Sequence, residues 1–431
     1  MTLTTFPVKP EARPYLDAFA ETPSEPQWLR AARRHGLDRF AKLGFPSRRG
    51  ENWRYLDLRA LEQHPMLPSV MGQPMGVPAG LALDESAARI VLVDGRLAPE
   101  LSRLNLPSGA WFGSTSAAIE KRPELLRGFA DAETDHAFSS LNAAFFADGF
   151  VLYVADGTAV DAPIEIVHLA SGAGDASLHT RNIIDLGAGS RATIIETFAG
   201  DGKYWRNDVA DWRLGDGASL TRVALVEEGA DAVHLGEFTA TLNAGAKLDA
   251  FTLLLGGGTV RHEASVTMAG DKASCHIDGA FVVSGQEEAN IVTTIDHAAV
   301  GGVTSELIKG VAAGRGHGAF QGKIIVREDA QQTDARQTSR NLILGRRASI
   351  DTKPELEILA DDVKCAHGAS VGELDEAALF YLRARGIPTD EARRLLIEGF
   401  LREPVEGIAD PAIREHLLHR LSLRLARLED A

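Results

Sequence analysis

Four short blocks in the middle of the chain recur at a nearly constant interval. LGAGSRA begins at Leu186, LGDGASL at Leu214, LNAGAKL at Leu242 and the looser MAGDKAS at Met268. The steps from Leu186 to Leu214 and from Leu214 to Leu242 are equal, and Met268 falls slightly short of a third equal step. Gly189, Gly217 and Gly245 keep the same spacing. Each block is a Gly-centred turn followed by a segment with strand character: ATIIETF, LTRVALV, LDAFTLLL and CHIDGAFVV. A fixed period of this length, with one strand-turn unit per repeat, is the mark of a solenoid. No helical stretch separates the strands, so a parallel β-helix is the natural form. Its core stacks inward-facing residues, and its turns place Gly where φ is positive. Later segments, HGAFQGKIIV, SRNLILGRRASI and ELEILADDVKCAHGAS, continue in strand-turn style with a looser period. An antiparallel sandwich also has alternating strands and is the competing architecture.

The two ends read differently. Ser24 is placed to cap a helix from Glu25 to Leu43, with Trp28, Leu29, Ala32, Gly36, Phe40 and Leu43 on one stripe and Gly44 and Pro46 stopping it. The segment Arg89–Asp94 (RIVLVD) reads as a short buried strand ending in the turn Asp94-Gly95. Beyond the solenoid, LDEAALFYLRARG is capped near Asp375 and stopped by Gly386. A second helix starts at Thr389 after Pro388, and a third opens at Asp410-Pro411 with Ile413, Leu417, Leu421, Leu425 and Leu428 in a stripe. These features divide the chain into a mostly helical region at 1–135, a β-helix core at 136–372 and a helical domain at 373–431. The last unit is expected either to cap the solenoid end or to dock a partner.

With 431 residues, 45% hydrophobic and 24% charged, the chain has the composition of a folded protein of two or three regions. Its 42 Gly and 6% aromatic residues suit many tight turns between short strands. A formal net charge of −15 works against nucleic acid and anionic membrane surfaces as partners. No apolar run approaches the roughly 20 residues that span a bilayer. The N-terminus lacks an apolar signal core, so a cytosolic location is expected.

Cys275 and Cys365 are the only cysteines. They make no disulfide framework, which fits a reducing compartment, and two thiols cannot close a four-thiolate site within one chain. Cys365-Ala366-His367 is the best metal candidate, because residues i and i+2 of a strand share a face and would bring thiolate and imidazole together. The plainer alternative is a buried Cys beside a hydrogen-bonded His. Cys275 and His276 are adjacent and face opposite ways, which assigns Cys275 to the core. His262, His297 and His317 have no metal-ligand spacing and read as surface or turn residues. Gly318-Ala-Phe-Gln-Gly322-Lys323-Ile324 is one residue short of a P-loop, lacks its Ser/Thr and leads into a strand, so it is rejected as a phosphate site. No nucleophile elbow and no HExxH motif occurs. Nothing in the chain supports independent ATP hydrolysis.

Two stretches carry a family resemblance. Gly44-Phe45-Pro46-Ser47-Arg48-Arg49 leads into Glu51-Asn52-Trp53-Arg54-Tyr55. Much later, Lys364-Cys365-Ala366-His367-Gly368-Ala369 precedes Val371-Gly372, Leu379-Phe380-Tyr381-Leu382-Arg383-Ala384-Arg385-Gly386-Ile387, Glu391-Ala392-Arg393 and Gly399-Phe400. In this order they resemble the SufB/SufD family of iron–sulfur cluster assembly proteins, and the shortage of cysteine favours the SufD branch. The resemblance implies a right-handed parallel β-helix between helical ends. It also implies a non-catalytic scaffold subunit that pairs with a SufB-like paralogue, while a SufC-type ATPase supplies the hydrolysis; the open strand edges of a β-helix leave room for a homodimer in isolation. By the same resemblance His367, with Cys365 secondary, meets a transient iron–sulfur cluster or iron shared with the partner. Leu379, Tyr381, Leu382, Arg385, Leu395 and Phe400 fall on the helices expected to dock the ATPase. Two other functions compete: a β-helix carbohydrate enzyme of the polysaccharide lyase type, disfavoured by the missing export signal and the acidic charge, and a purely architectural partner of a SufB-like subunit.

Overall fold

The structure, a computed structural model, describes residues 8–68, 75–83, 86, 88–126, 136–172 and 174–428. Sixteen of its strands, from Phe150–Val154 to Lys364–Gly372, alternate between two sheets, so that each coil gives one strand to each sheet and eight coils make a parallel β-solenoid. Register is kept from coil to coil: Leu220 lies on Ala192 and under Leu248, which in turn lies under Cys275. Inward-facing positions therefore form columns, and the Leu, Ile, Val and Ala of these columns make the largest apolar core.

The repeat seen in the sequence corresponds to one full coil, with two strands per repeat rather than the one expected. Between Leu186 and Leu214 lie both Arg191–Gly200 and Tyr204–Leu214. The second strand is hidden because the other turn, though it holds a glycine in each coil (Gly202, Gly229, Gly257), lacks a repeated block like that around Gly189, Gly217 and Gly245. At the motif-bearing turn Gly189, Gly217 and Gly245 have φ of 64°, 65° and 66°, in the left-handed region. The N–H of each donates to a carbonyl of the next coil, at Asp216, Ala244 and Asp271 (2.7, 2.8 and 2.8 Å). Lys272, Gly301 and Gln332 continue this column with φ of 58°, 71° and 62°. The step shortens slightly from Gly245 to Lys272, then lengthens to Gly301 and again to Gln332, which is why the later repeats look irregular.

The outer faces of the two sheets are covered separately. Helices Gln27–Leu43 and Ala137–Phe145 pack on one, where Tyr15, Phe40, Phe45 and Phe138 surround the buried Trp205. Gly36 lets these helices touch, since a Cβ there would stand 2.5 Å from the Ser140 carbonyl oxygen. The first helix begins at Gln27 after Pro26, with no side-chain cap, so Ser24 does not have the role expected of it. Motif residues 51–53 are fastened to the same sheet. Arg261 lies 4.1 Å over the Trp53 ring and donates to the Asn52 carbonyl at 2.9 Å, and Lys353 pairs with Glu51 at 2.5 Å.

Helices Thr389–Glu406 and Pro411–Leu428 cover the other sheet. Ile397, Leu401, Val405, Ile413, Leu417, Leu421 and Leu425 pack on Val223, Leu225, Phe251, Leu253 and Val282. The C-terminal unit thus lies along the side of the solenoid and does not cap its end. Lys309 anchors it, donating to the Phe400 carbonyl and pairing with Glu403. Strands covered on both faces explain why these segments read as continuous apolar runs rather than clean alternations.

The turn column is testable at Gly217, where an added Cβ meets nothing within 4 Å. Gly217→Ala is expected to lower unfolding free energy by about 1 kcal/mol through backbone strain alone, and Gly217→Asn by less. Urea unfolding of both variants measures it; equal stability of the alanine variant and the parent contradicts the assignment.

Candidate metal centre at the open end of the solenoid

The two ends of the solenoid differ. At the start, Ala110–Ser114 pairs antiparallel with Phe150–Val154, and Ala88–Val93 folds back on Arg96–Leu97. At the finish, Ser349–Ile358 and Lys364–Gly372 are the last strands of their sheets, each paired on one side only. Nearly every residue of Lys364–Gly372 is exposed. Two free parallel edges side by side are a surface that another β-edge can extend.

Cys365 and His367 lie on this last strand, on one face, as the i, i+2 spacing requires. Cys365 is half-buried and packs against the end of the apolar core, so the shared face is the one turned to the solenoid lumen. Burial pushes its thiol above the ordinary value, partly offset by a hydrogen bond with the Ala335 backbone. His367 is exposed. The pair offers one sulfur and one nitrogen donor. Among the described residues no group of three His, Cys, Asp or Glu side chains is placed to hold a metal ion. The donor set fits a soft or borderline metal, and fits it only in part.

Beneath His367 runs a column of polar residues. Gln337 is its neighbour on the preceding coil, and Glu306 is the neighbour of Gln337. Gln337 Nε2 donates to Glu306 Oε2 at 2.6 Å, and both side chains are buried. Burial pushes Glu306 from 4.5 up to about 7, with the Gln337 hydrogen bond only partly offsetting it. Beneath Cys365 the column runs Ala335, Thr304, Cys275. Cys275 is fully buried, and burial holds its thiol well above the ordinary value.

Further down the lumen lie charged groups that the sequence reading does not single out. Arg222 donates to Glu196 at 2.6 Å and meets His262 Nε2 at 2.9 Å. Arg206 donates to Glu228 at 2.6 Å, with His234 Nδ1 3.1 Å from the same carboxylate oxygen. Burial works to raise both carboxylates, yet the guanidinium beside each holds it below the ordinary range. His262 and His297 belong to this interior: both are buried, which corrects their reading as surface or turn residues. Burial, reinforced by Arg222, holds His262 neutral well below its usual titration. His317 alone is partly exposed, bonded to Asp351 at 2.9 Å. The signal lies in the alternation, since Leu220, Arg222, Ala224 and Val226 share a face and arginine interrupts an otherwise apolar set.

The residues expected to meet an ATPase separate into two groups. Leu379 is buried, Leu382 is half-buried, and Phe400 is half-buried with the Lys309 ammonium 4.3 Å from its ring centroid, so these hold their own helices in place. Tyr381, Arg385 and Leu395 are exposed, Arg385 donating to the Tyr381 hydroxyl at 3.1 Å. Phe380, part of the resemblance stretch but not among the residues expected to meet the ATPase, is 72% exposed, the highest value among the large exposed apolar residues described.

Glu306 gives this end a definite pH response. Folded, it holds its proton up to about pH 7; unfolded, it releases it near 4.5. Between these values the folded state binds more protons, so stability falls as pH rises, by about 3 kcal/mol in all. Glu306→Gln is expected to flatten this part of the curve and to be relatively more stable at pH 8 than at pH 5. Denaturant titrations at the two pH values decide it.

Comparison with known proteins agrees with this architecture. Residues 168–400 match the SufBD core domain of the SUF system for FeS cluster assembly, and residues 83–166 match the SufBD protein N-terminal region. The chain is 31% identical to the iron–sulfur cluster assembly protein SufD of Escherichia coli K12 over 90% of its own length and 91% of that protein's. It is 27% identical to the SufD of Bacillus subtilis, covering 91% and 94% of the two chains. A SufBD family protein of Synechocystis is also 27% identical, over 91% and 90%. A β-solenoid with helical units on both outer faces, matched along its core and its N-terminal region, places this chain in the SufBD family of iron–sulfur cluster assembly proteins.

Proposed function

We propose that this chain is the SufD-like half of a scaffold on which a nascent iron–sulfur cluster forms between two solenoids. The observation that carries the reading is the position of His367 and Cys365 on the lumenal face of an exposed last strand, beside two free sheet edges. Two donors hold a cluster only with a partner's help, and a parallel edge is where a SufB-like paralogue would align its own last coil. A site completed across a joint also lets the cargo leave when the joint opens. A second copy of this chain would use the same edges when the paralogue is absent.

In this reading the chain performs no hydrolysis. Helix Glu376–Ala384 and the start of Thr389–Glu406 present Phe380, Tyr381 and Leu395 outward, on a unit seated firmly on the sheet by Lys309 and the apolar face behind it. A SufC-type ATPase docked there would transmit its movements to the solenoid through a rigid contact. Large exposed aromatics on a well-packed helix are what such an interface uses as anchors.

Two outcomes are expected. In anaerobically reconstituted complex with SufB-like and SufC-type partners, His367→Ala loses visible absorption and bound iron while the subunits still co-elute. Unchanged absorption would leave the chain an architectural partner. Replacing Phe380 and Tyr381 together by Asp weakens ATPase binding by more than about 10-fold without lowering the melting temperature of the isolated chain; undiminished co-purification contradicts the docking surface.

A further inference from the structure

We propose that Gln337 is a positioning residue for His367, its side-chain carbonyl accepting the imidazole N–H that is not turned to the metal. The inference rests on the reading of His367 as a cluster ligand. A metal-bound imidazole binds through one nitrogen, and its other N–H takes a defined acceptor that fixes tautomer and ring orientation. The exposed end of the solenoid supplies one candidate from within this chain.

Three observations select Gln337. It is the in-register neighbour of His367 on the preceding coil, one strand spacing away, about 4.8 Å. At that spacing a glutamine side chain and an imidazole on the same face are within reach of a single N–H···O bond. Next, Gln337 is 1% exposed, and its Oε1 has no hydrogen-bond partner among the described residues. A carbonyl oxygen this deeply buried is costly to leave without a donor. Lastly, the amide is held in one orientation from below. Nε2 donates to Glu306 Oε2 at 2.6 Å, which commits the NH₂ group to the deeper coil and leaves Oε1 as the free acceptor.

The fold makes room for this amide at a specific point. Gly322, on the facing sheet, abuts the Gln337 side chain, and a Cβ at 322 would overlap both its amide nitrogen and the Phe320 ring. The glycine that gives residues 318–324 their misleading likeness to a P-loop is thus a recess for Gln337. Glu306, Gln337 and His367 form a ladder of three coils in which the deepest member orients the second and the second orients the ligand.

The test reads the ring itself. In the isolated full-length chain labelled with ¹⁵N-histidine, with the His367 signals assigned by His367→Ala, the neutral imidazole is expected to show one tautomer in clear excess. Gln337→Leu should bring the two tautomers back to the ratio of a free histidine side chain, from which the parent departs. In the reconstituted complex the same variant should lower iron retention by about 10-fold or more. The exchange variant, Glu306→Gln with Gln337→Glu, keeps an oriented acceptor under His367 and should restore both readouts; it also carries the test if leucine at 337 prevents folding. A tautomer ratio unchanged in a folded Gln337→Leu, or lost in the exchange variant, overturns the proposal. A cluster signal that needs His367 but is indifferent to Gln337 overturns it alone. A signal indifferent to His367→Ala overturns the ligand reading and this inference together.

Discussion

The in-register stacking of parallel coils governs everything else in this molecule. Because each inward side chain sits about 4.8 Å from its counterparts above and below, its environment is set by its column rather than by its sequence neighbours. Apolar columns such as Ala192–Leu220–Leu248–Cys275 fill themselves with dispersion contacts. A charge can enter only where adjoining strands bring its counter-charge to the same depth. Arg222 does so with Glu196, and Arg206 with Glu228, each pair enclosed. Such pairs add little net stability, but removing one partner leaves a bare buried charge, which costs about 3–5 kcal/mol. They therefore act as register locks: a coil that slipped along its neighbour would separate the partners.

The same stacking decides what the outer faces need. A solenoid strand covered on the inside only would alternate, yet LTRVALV and LDAFTLLL have apolar residues facing both ways. Two helical units supply the cover, one around Trp205 and one over Phe251 and Leu253. The N-terminal motif thereby acquires a physical basis. Glu51, Asn52 and Trp53 are bound by Lys353, Gln321 and Arg261, side chains from three different strands, so the segment ties coils together from outside.

How much of this is legible in the sequence follows from which constraints leave a local mark. Positive φ does: Gly189, Gly217 and Gly245 expose the period, and with it the solenoid. Helix starts do as well, since Asp375 caps its helix as read, accepting from the Ala377 and Ala378 amides. The second strand of each coil is harder to read because its turns, though each holds a glycine such as Gly202, Gly229 or Gly257, share no repeated block of flanking residues. The lumenal charges escape it for another reason. Pairing across coils joins residues 26 or 22 positions apart, as for Arg222 with Glu196 and Arg206 with Glu228, and no window of local periodicity contains both. At the candidate site, the strand rule gives the shared face of Cys365 and His367. It does not give Gln337 or Glu306, which are one and two whole coils before His367 along the chain yet are successive rungs of one column.

The two ends of the solenoid are finished differently, and the difference leaves one of them open to a further strand. A β-solenoid must finish somewhere, and the simplest finish folds an antiparallel strand or a helix over the last coil, as Ala110–Ser114 and the hairpin of Ala88–Val93 with Arg96–Leu97 do at the start. At the other end the following helices run back along the side, leaving Ser349–Ile358 and Lys364–Gly372 uncovered although a helical unit follows directly in the chain. Leaving two parallel edges open invites aggregation, a cost that is offset only if a matching edge is regularly present. The residues found there agree with that view. The lumen changes from apolar to polar over the last three rungs, from Ile277 through Glu306 and Gln337 to His367, so the column ends in groups able to meet a metal rather than in groups that need burial. Order in the interior and openness at the rim are thus one arrangement: the coils beneath set the register that carries His367 to the lumenal face of the last strand, and the edge beyond it stays unpaired.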